Sequence, residues 1–437
     1  MAMSFSFQDR RRRAGAVCAA LVVFGVLVSN AAVRWRADAM ARSNELEAWQ
    51  RAAALEPSNA EHWYRIGRFW HLDLLRGDLD QAITAYQRAV ELQPGAAHFW
   101  LDLASAYEMK GDTQQAAAAF EQAHQVYPES ARVSWARGNF LLRRGDLDGA
   151  FADMRHAVEH DPNLTFLAVS VAWRASGEAG RVLRDVLPAS ASSYRSALNF
   201  FLAQQQPEAA MTAWEALCRE APRQELAASF PLITLLLRTN RWNDARRVWR
   251  EAHDAAGETP PEPAGALVED GGFERPPSGG GFGWRIQQAD GLRIDTDSVT
   301  PHAGGHSLRV TFDGTLNLNV HHVTQLVLVE PGARYRFRGW MRSETISTDS
   351  GVRFGLRDMR YATRLNLLTP EVRGTEPWAL HEVEFITSQE TRLVEISVRR
   401  LPSRRLDNKL RGVVWVDDVS LERIDALAPS RATGTRR

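Results

Sequence analysis

Lysine is almost missing from this chain: of 53 basic residues among 437, only Lys110 and Lys409 are lysine and the rest are arginine. We read that bias as a compositional habit, because the arginines are spread along the whole sequence. Neither sign of charge is in excess, since aspartate and glutamate also number 53. A chain without a basic surplus lacks the electrostatic footprint of a nucleic-acid binder, so no nucleic-acid partner is expected. Cysteine is equally scarce. Cys18 lies in an apolar run and Cys218 in a predicted helix, which argues against a structural disulfide and leaves no metal-ligand spacing. Catalytic motifs are lacking too: there is no Ser-His-Asp order and no nucleophile elbow. The acidic residues are scattered, where glycan hydrolysis would need two carboxylates about 5 to 10 Å apart in a cleft. What remains is ordinary globular material with 44% apolar residues, too long for a single core and sized for two or three domains.

Only one long apolar run occurs. Arg10, Arg11, Arg12 and Arg13 precede the uncharged residues 14–33, and Arg34 and Arg36 follow them. Twenty residues rising ~1.5 Å each just cross a hydrocarbon layer of about 30 Å. The arginine cluster, which outnumbers the positive charge directly after the run, keeps its side cytoplasmic. The expectation is a single-pass inner-membrane anchor at 14–33, with the basic segment 1–13 cytoplasmic and the bulk periplasmic. A cleaved signal peptide is the competing reading, because Ser29-Asn30-Ala31 offers small residues at a cleavage position. Both readings export everything that follows.

A fixed beat governs the next stretch. Ala82, Ala116 and Ala150 are spaced by 34 residues, as are Ala89, Ala123 and Ala157, and Pro94, Pro128 and Pro162. Small residues fall where two helices must touch, large ones (Tyr86, Phe120, Met154) where a ridge fills a groove, and proline where a helix must stop. Trp100, Leu103, Ala104, Tyr107, Gly111, Ala116, Phe120, Ala123 and Pro128 make up the middle unit. This pattern resembles the tetratricopeptide repeat. The first unit keeps Trp63, Ile66, Gly67 and Trp70 but has three extra residues before Gly77, which lengthens its turn or first helix. The third has Ser134 in the tryptophan slot. Trp49, Ala52 and Pro57 read as a lone second helix, while Ala210, Trp214 and Pro222, then Ala245, Trp249 and Ala252, mark two divergent units. Residues 175–193 read as an irregular connection or a short helix. The helical array is expected over 43–255.

The resemblance implies a superhelix whose first helices line a groove for a peptide or a partner's helix. By slot, the groove residues would be Tyr64, Arg68, His71, His98, Glu108, Arg132, Trp135 and Asn139. Tyr64 and Trp135 could equally pack on neighbouring units. Residues 256–266, rich in proline and glycine, cannot continue a helix and read as a short connector.

Beyond it the apolar period drops to two: Leu308, Val310 and Phe312 alternate with polar residues, as do Val394, Ile396 and Val398. Short strands separated by turn signals predict an antiparallel β-sandwich over 267–425; residues 426–437 read as a disordered tail. Gly271-Gly272-Phe273-Glu274, Trp284, the run from His306 to Val310, Pro331-Gly332 with Tyr335, Phe337 and Trp340, and Val416-Asp417-Asp418-Val419 resemble the jelly-roll, galactose-binding-like modules found as carbohydrate-binding domains. The fold class is thus multidomain, α then β. In that family a structural calcium often ties the first and last strands, and Glu274 and Asp417 are the carboxylates that could hold it; no other cofactor is expected. The competing reading is that these acids cap turns. Sugar recognition would use exposed aromatic faces with polar edges: Trp284, Tyr361 and Trp378, with Arg357 beside them. Each of those aromatics could instead belong to the core, and Trp340 is expected inside. Arg399-Arg400 and Arg404-Arg405 read as solvated.

Together these features predict a non-enzymatic, membrane-anchored scaffold with a protein partner in its groove and envelope polysaccharide on its sandwich, in exopolysaccharide assembly or export. The alternative is a purely protein-docking assembly factor. An enzyme would require the paired carboxylates that the sequence does not display.

Overall fold

The computed structural model describes residues 10–43, 45–257 and 267–424. Of the connector read at 256–266, Ala256 and Gly257 end the last helix, while 258–266, residues 1–9 and the tail at 426–437 lie outside the described residues.

Helix α1 (Arg10–Ala41) is long and apolar enough to cross a membrane. It runs past residue 33, and one side of its last turns is buried: Ala37 and Ala41 meet Ala52 of α2 (Leu46–Leu55). Small residues on both sides let the two backbones approach. The Trp49 indole and the Arg65 guanidinium both donate to the Ala41 carbonyl, at 3.3 and 2.7 Å. The segment read as a lone second helix therefore has a partner, the end of the apolar helix.

Three helix pairs follow: α3 (Ala60–Leu72) with α4 (Leu79–Leu92), α5 (Ala97–Lys110) with α6 (Thr113–Val126), and α7 (Ala131–Arg143) with α8 (Leu147–His160). The extra residues of the first pair form the longer turn after Leu72. Asp78, Asp112 and Asp146 cap α4, α6 and α8 by accepting from amides one turn in, which satisfies donors the helix start would leave open. Ala82, Ala89, Ala116, Ala123, Ala150 and Ala157 are all fully buried, with Tyr86, Phe120 and Met154 filling between them. Gly67 is where α3 meets the Tyr86 ring; a Cβ there would lie 2.6 Å from its Cδ1. Helix α9 (Thr165–Ser176) ends where the stretch read as irregular begins, and α10 (Ala179–Arg181), continuing as a π turn through Val186, lies within it. Helices α11 (Ala191–Ala203), α12 (Pro207–Glu220), α13 (Phe230–Arg238) and α14 (Trp242–Ala256) follow in the chain.

The chain divides into two compact units, one up to Phe200 and one from Phe201. The second unit joins α12 to α14 with a β-sandwich. Its first sheet has the order β1 (Arg285–Ile286), β4 (Val320–Leu328), β9 (Leu393–Arg400), β6 (Arg353–Asp358), β7 (Asn366–Leu368). The second runs β2 (Leu292–Asp297), β3 (Ser307–Asp313), β10 (Arg411–Arg423), β5 (Arg334–Ile346), β8 (Gly374–Ile386). All pairings are antiparallel. Period-two alternation sends Leu308, Val310, Phe312, Phe337, Phe354, Val394, Ile396, Val398 and Val416 into the space between the sheets.

Two expectations are corrected here. Trp340 sits half-buried on the outward side of β5, because Tyr335, Phe337 and Met341 take the inward positions and residue 340 has the opposite parity. Arg400 is fully buried; its guanidinium donates to carbonyls of Ser350, Leu318 and Asn408 and to Asn317 Oδ1.

Helix α14 packs on the segment that leads into the sandwich. Trp249 meets Phe230 and Phe282 with ring centroids 6.1 Å apart in each case. Its indole donates to Glu269 Oε2 at 3.0 Å, and His253 Nε2 lies 3.4 Å from Glu269 Oε1. The glycine loop before β1 comes up beneath these rings: a Cβ on Gly280 would lie 2.2 Å from Phe230, and one on Gly281 2.0 Å from Trp249.

Candidate functional site

In the first unit the residues assigned to the groove fall on α3, α5 and α7. Tyr64 is 8% exposed, and its hydroxyl donates to Asp102 Oδ2 at 2.7 Å. Burial pushes the phenol's pKa up, and the bond to Asp102 adds to the shift. The ring packs at 4.5 Å from Phe99 and 5.1 Å from His98. Tyr64 is thus largely a packing residue that holds Asp102 in place. Arg68 is exposed, 3.9 Å from Asp102, and Arg132 is exposed on α7. His71 is half-buried, bonded to the Tyr86 hydroxyl at 3.2 Å, and burial lowers its pKa. Glu108 is spanned by Arg143 in a two-bond fork at 2.6 and 2.7 Å, which ties α5 to α7. Trp135 is half-buried, and Asn139 donates to its carbonyl at 2.7 Å, so that amide serves its own helix. The exposed polar surface is therefore Arg68, His98 and Arg132 around the half-buried Asp102. Neither Asp102 nor Arg143 was singled out from sequence.

The four sugar-binding candidates do not form one site. Trp284 is 2% exposed; its ring lies 4.9 Å from Phe273 and its indole donates to the Asp270 carbonyl, so it belongs to the core and presents no face to a ligand. Trp378 lies on β8, half-buried against His302, which stacks on Trp340 at 3.9 Å and bonds Asp418 at 2.6 Å. Arg357 and Tyr361 occupy the other sheet and the loop that follows β6. Arg357 Nε donates to Glu395 Oε1 at 2.7 Å, and His321 Nε2 bonds the same oxygen at 2.6 Å. Burial acts to raise the Glu395 carboxyl, yet the bonds from His321 and Arg357 outweigh it and hold the group below the usual range. Tyr361 is exposed, with the Arg364 guanidinium 4.3 Å from its ring centre. Beside the same sheet, α13 and α14 form one wall of a cleft of about 400 Å³.

Glu274 and Asp417 converge. A Cβ on Gly272 would lie 3.8 Å from Asp417 Oδ1 and 3.9 Å from Glu274 Oε1. Glu274 accepts from the amide of Gly305 and from His306 Nδ1; the latter bond chiefly lowers its pKa. Asp417 is fully buried, and burial raises its carboxyl although the amides of His302, Ala303 and Asp418 bond to it. Among the described residues no set of three or more His, Cys, Asp or Glu is arranged to hold a metal. Both carboxylates are engaged by the turn at 302–306, Glu274 by Gly305 and His306 and Asp417 by His302 and Ala303. Cys218 is half-buried on α12, its thiol pushed up to about 11 by burial, which is a packing environment.

A tetratricopeptide repeat family model matches residues 71–124 and 102–164. No curated protein matches the chain. Among solved structures, YrrB, a protein of this repeat type with an unusual peptide-binding site, is 16% identical with a TM-score of 0.27, covering 49% of this chain and 94% of that one. MamA is 17% identical with a TM-score of 0.27, covering 40% and 85%. The CBM22-1 xylan-binding domain from Paenibacillus barcinonensis Xyn10C is 17% identical with a TM-score of 0.26, covering 38% and 99%.

Proposed function

We propose that this chain, with tetratricopeptide repeats in its N-terminal half and a β-sandwich in its C-terminal half, is a non-enzymatic scaffold of the bacterial envelope. Helix α1 anchors it in the inner membrane with the bulk periplasmic. The groove of α3, α5 and α7 holds a protein partner, and the sandwich holds polysaccharide during exopolysaccharide assembly or export. The groove carries this reading: exposed Arg68, His98 and Arg132 surround a held Asp102, a mixed-charge surface suited to a peptide or helix. Residues 14–36 are exposed along their whole length, which supports the anchor. A calcium between Glu274 and Asp417 belongs to the same proposal and would brace the sandwich.

A photo-crosslinking residue at position 98 in the full chain, expressed in cells, tests the groove. A defined protein adduct is expected, and Arg68→Glu with Arg132→Glu should abolish it. If adducts form only from positions on the sandwich, the groove assignment fails. The second reading, a protein-docking factor that binds no sugar, is favoured by the outward face of β5 and β8. There Arg336 pairs Glu384 and Arg338 pairs Glu382.

A further inference from the structure

We propose that the cleft between α13–α14 and the sheet of β1, β4, β9, β6 and β7 binds an acidic saccharide. The saccharide part rests on the polysaccharide reading above; the requirement for negative charge rests on the arginines of the cleft.

The cleft encloses about 400 Å³ within the second unit. Arg238 enters from α13, Arg285 from β1, Arg360 from the loop after β6 and Arg392 from the turn before β9. Several arginines elsewhere are matched to carboxylates, as in Arg137 with Asp153, Arg309 with Asp295 and Arg357 with Glu395. Among the described residues none of the four cleft arginines has a carboxylate within 4.0 Å. The two acids in the lining are already committed. Asp358 accepts from the Thr391 hydroxyl at 2.6 Å and from the amides of Arg360 and Tyr361 at 2.7 and 2.9 Å. Glu390 pairs with Arg364.

Arg285 is the sharpest case. Its Nη2 donates to the Gly281 carbonyl at 3.1 Å, while its enclosed Nε has no acceptor. Burial lowers its pKa, against a smaller opposing pull from the Glu395 carboxylate. An enclosed donor and an unmatched charge are both costly, and an anion in the cleft offsets both. Planar guanidinium groups suit a carboxylate through paired bonds. A bare inorganic anion would leave the rest of the lining unused. Trp242 is half-buried there, and Leu237, Leu326 and Leu393 are 8%, 5% and 7% exposed. These give an apolar wall for the C–H face of a sugar ring, and the volume lies in the range of small-ligand sites.

The test titrates the full chain in neutral detergent with tri-galacturonate, neutral xylotriose and sodium sulfate, read by calorimetry and tryptophan fluorescence. Tri-galacturonate should bind, weaken with added salt, and lose at least about tenfold in affinity in Arg285→Met, as when one partner of a desolvated charge pair is removed. Arg392→Ala, at an exposed position, should weaken binding without changing the thermal midpoint and so separates binding from folding. Undiminished tri-galacturonate binding in both variants overturns the site. Xylotriose binding alone, insensitive to Arg285→Met, leaves the polysaccharide reading standing and sinks this one. If neither sugar binds, both fall; if sulfate binds as tightly as the sugar, the saccharide assignment falls.

Discussion

Two glycines of one loop separate backbone strain from close packing. Gly279 and Gly281 both have left-handed φ, +80° and +58°. A Cβ on Gly279 would meet nothing within 4 Å, whereas one on Gly281 would lie 2.0 and 2.3 Å from Cζ3 and Cε3 of Trp249. Alanine at either position pays the left-handed penalty of roughly 1 to 2 kcal/mol. Only at 281 must a packed indole also move. Trp249 is 6% exposed and fixed by Phe230, Phe282, His253 and Glu269, so overpacking adds about 1 to 3 kcal/mol. Gly279→Ala should therefore destabilise by roughly 1 to 2 kcal/mol and Gly281→Ala by roughly 2 to 5. Urea unfolding of the full chain in detergent, followed by tryptophan fluorescence, measures both. In a Trp249→Ala background the excess at 281 should vanish, since the two sites couple only through that ring. Equal midpoints for the two alanine variants, or an excess that persists without Trp249, would refute the wedge between α14 and the sandwich loop.

Three further outcomes are expected. Arg137→Met, which strands Asp153 after removing bonds of 2.7 Å from Nε and Nη2, should cost about 3 to 5 kcal/mol in urea unfolding, and adding Asp153→Leu should restore most of it. Because the folded-state pKa of Glu395 is depressed, its contribution is present above the unfolded value of about 4.3 and is lost as pH falls through the folded one. The stability gap between the wild type and Glu395→Gln should thus be full at pH 7 and close below about pH 4. Calcium should raise the thermal midpoint, by up to about 2.7 kcal/mol of stability at a hundredfold excess over Kd; chelator should reverse this and Asp417→Asn abolish it. A midpoint indifferent to calcium would remove the ion from the proposal.

The fold was legible because its signals are periodic. Ala82, Ala116 and Ala150, and the capping aspartates at 78, 112 and 146, repeat at one spacing, and the switch to period two marks the sandwich. The sites were less legible because they depend on pairings distant in sequence. Glu395 meets His321 only through the register of β4 with β9, and Asp102 gains its place from Tyr64 on another helix. Trp340 was misplaced where alternation would have corrected it: its neighbours Tyr335, Phe337 and Met341 already claim the inward side. Trp284 resisted because nothing local distinguishes a tryptophan covered by Phe273 from one facing solvent. Gly280 and Gly281 look like flexible spacer, and only the rings of Phe230 and Trp249 above them reveal a fitted contact.

The seating of α14 on the segment that leads into the sandwich also bears on how such a chain can change length over evolution. In a repeat array each unit needs a neighbour or a polar end-piece to cover its apolar side. Here Phe282 and the glycine loop cover Trp249 and Phe230, so the β domain itself acts as that end-piece. A duplicated repeat inserted after α14 would separate these surfaces and need a new mate for each. Duplications upstream of α13 would leave them joined, so lineages of this chain should gain and lose repeats only on that side.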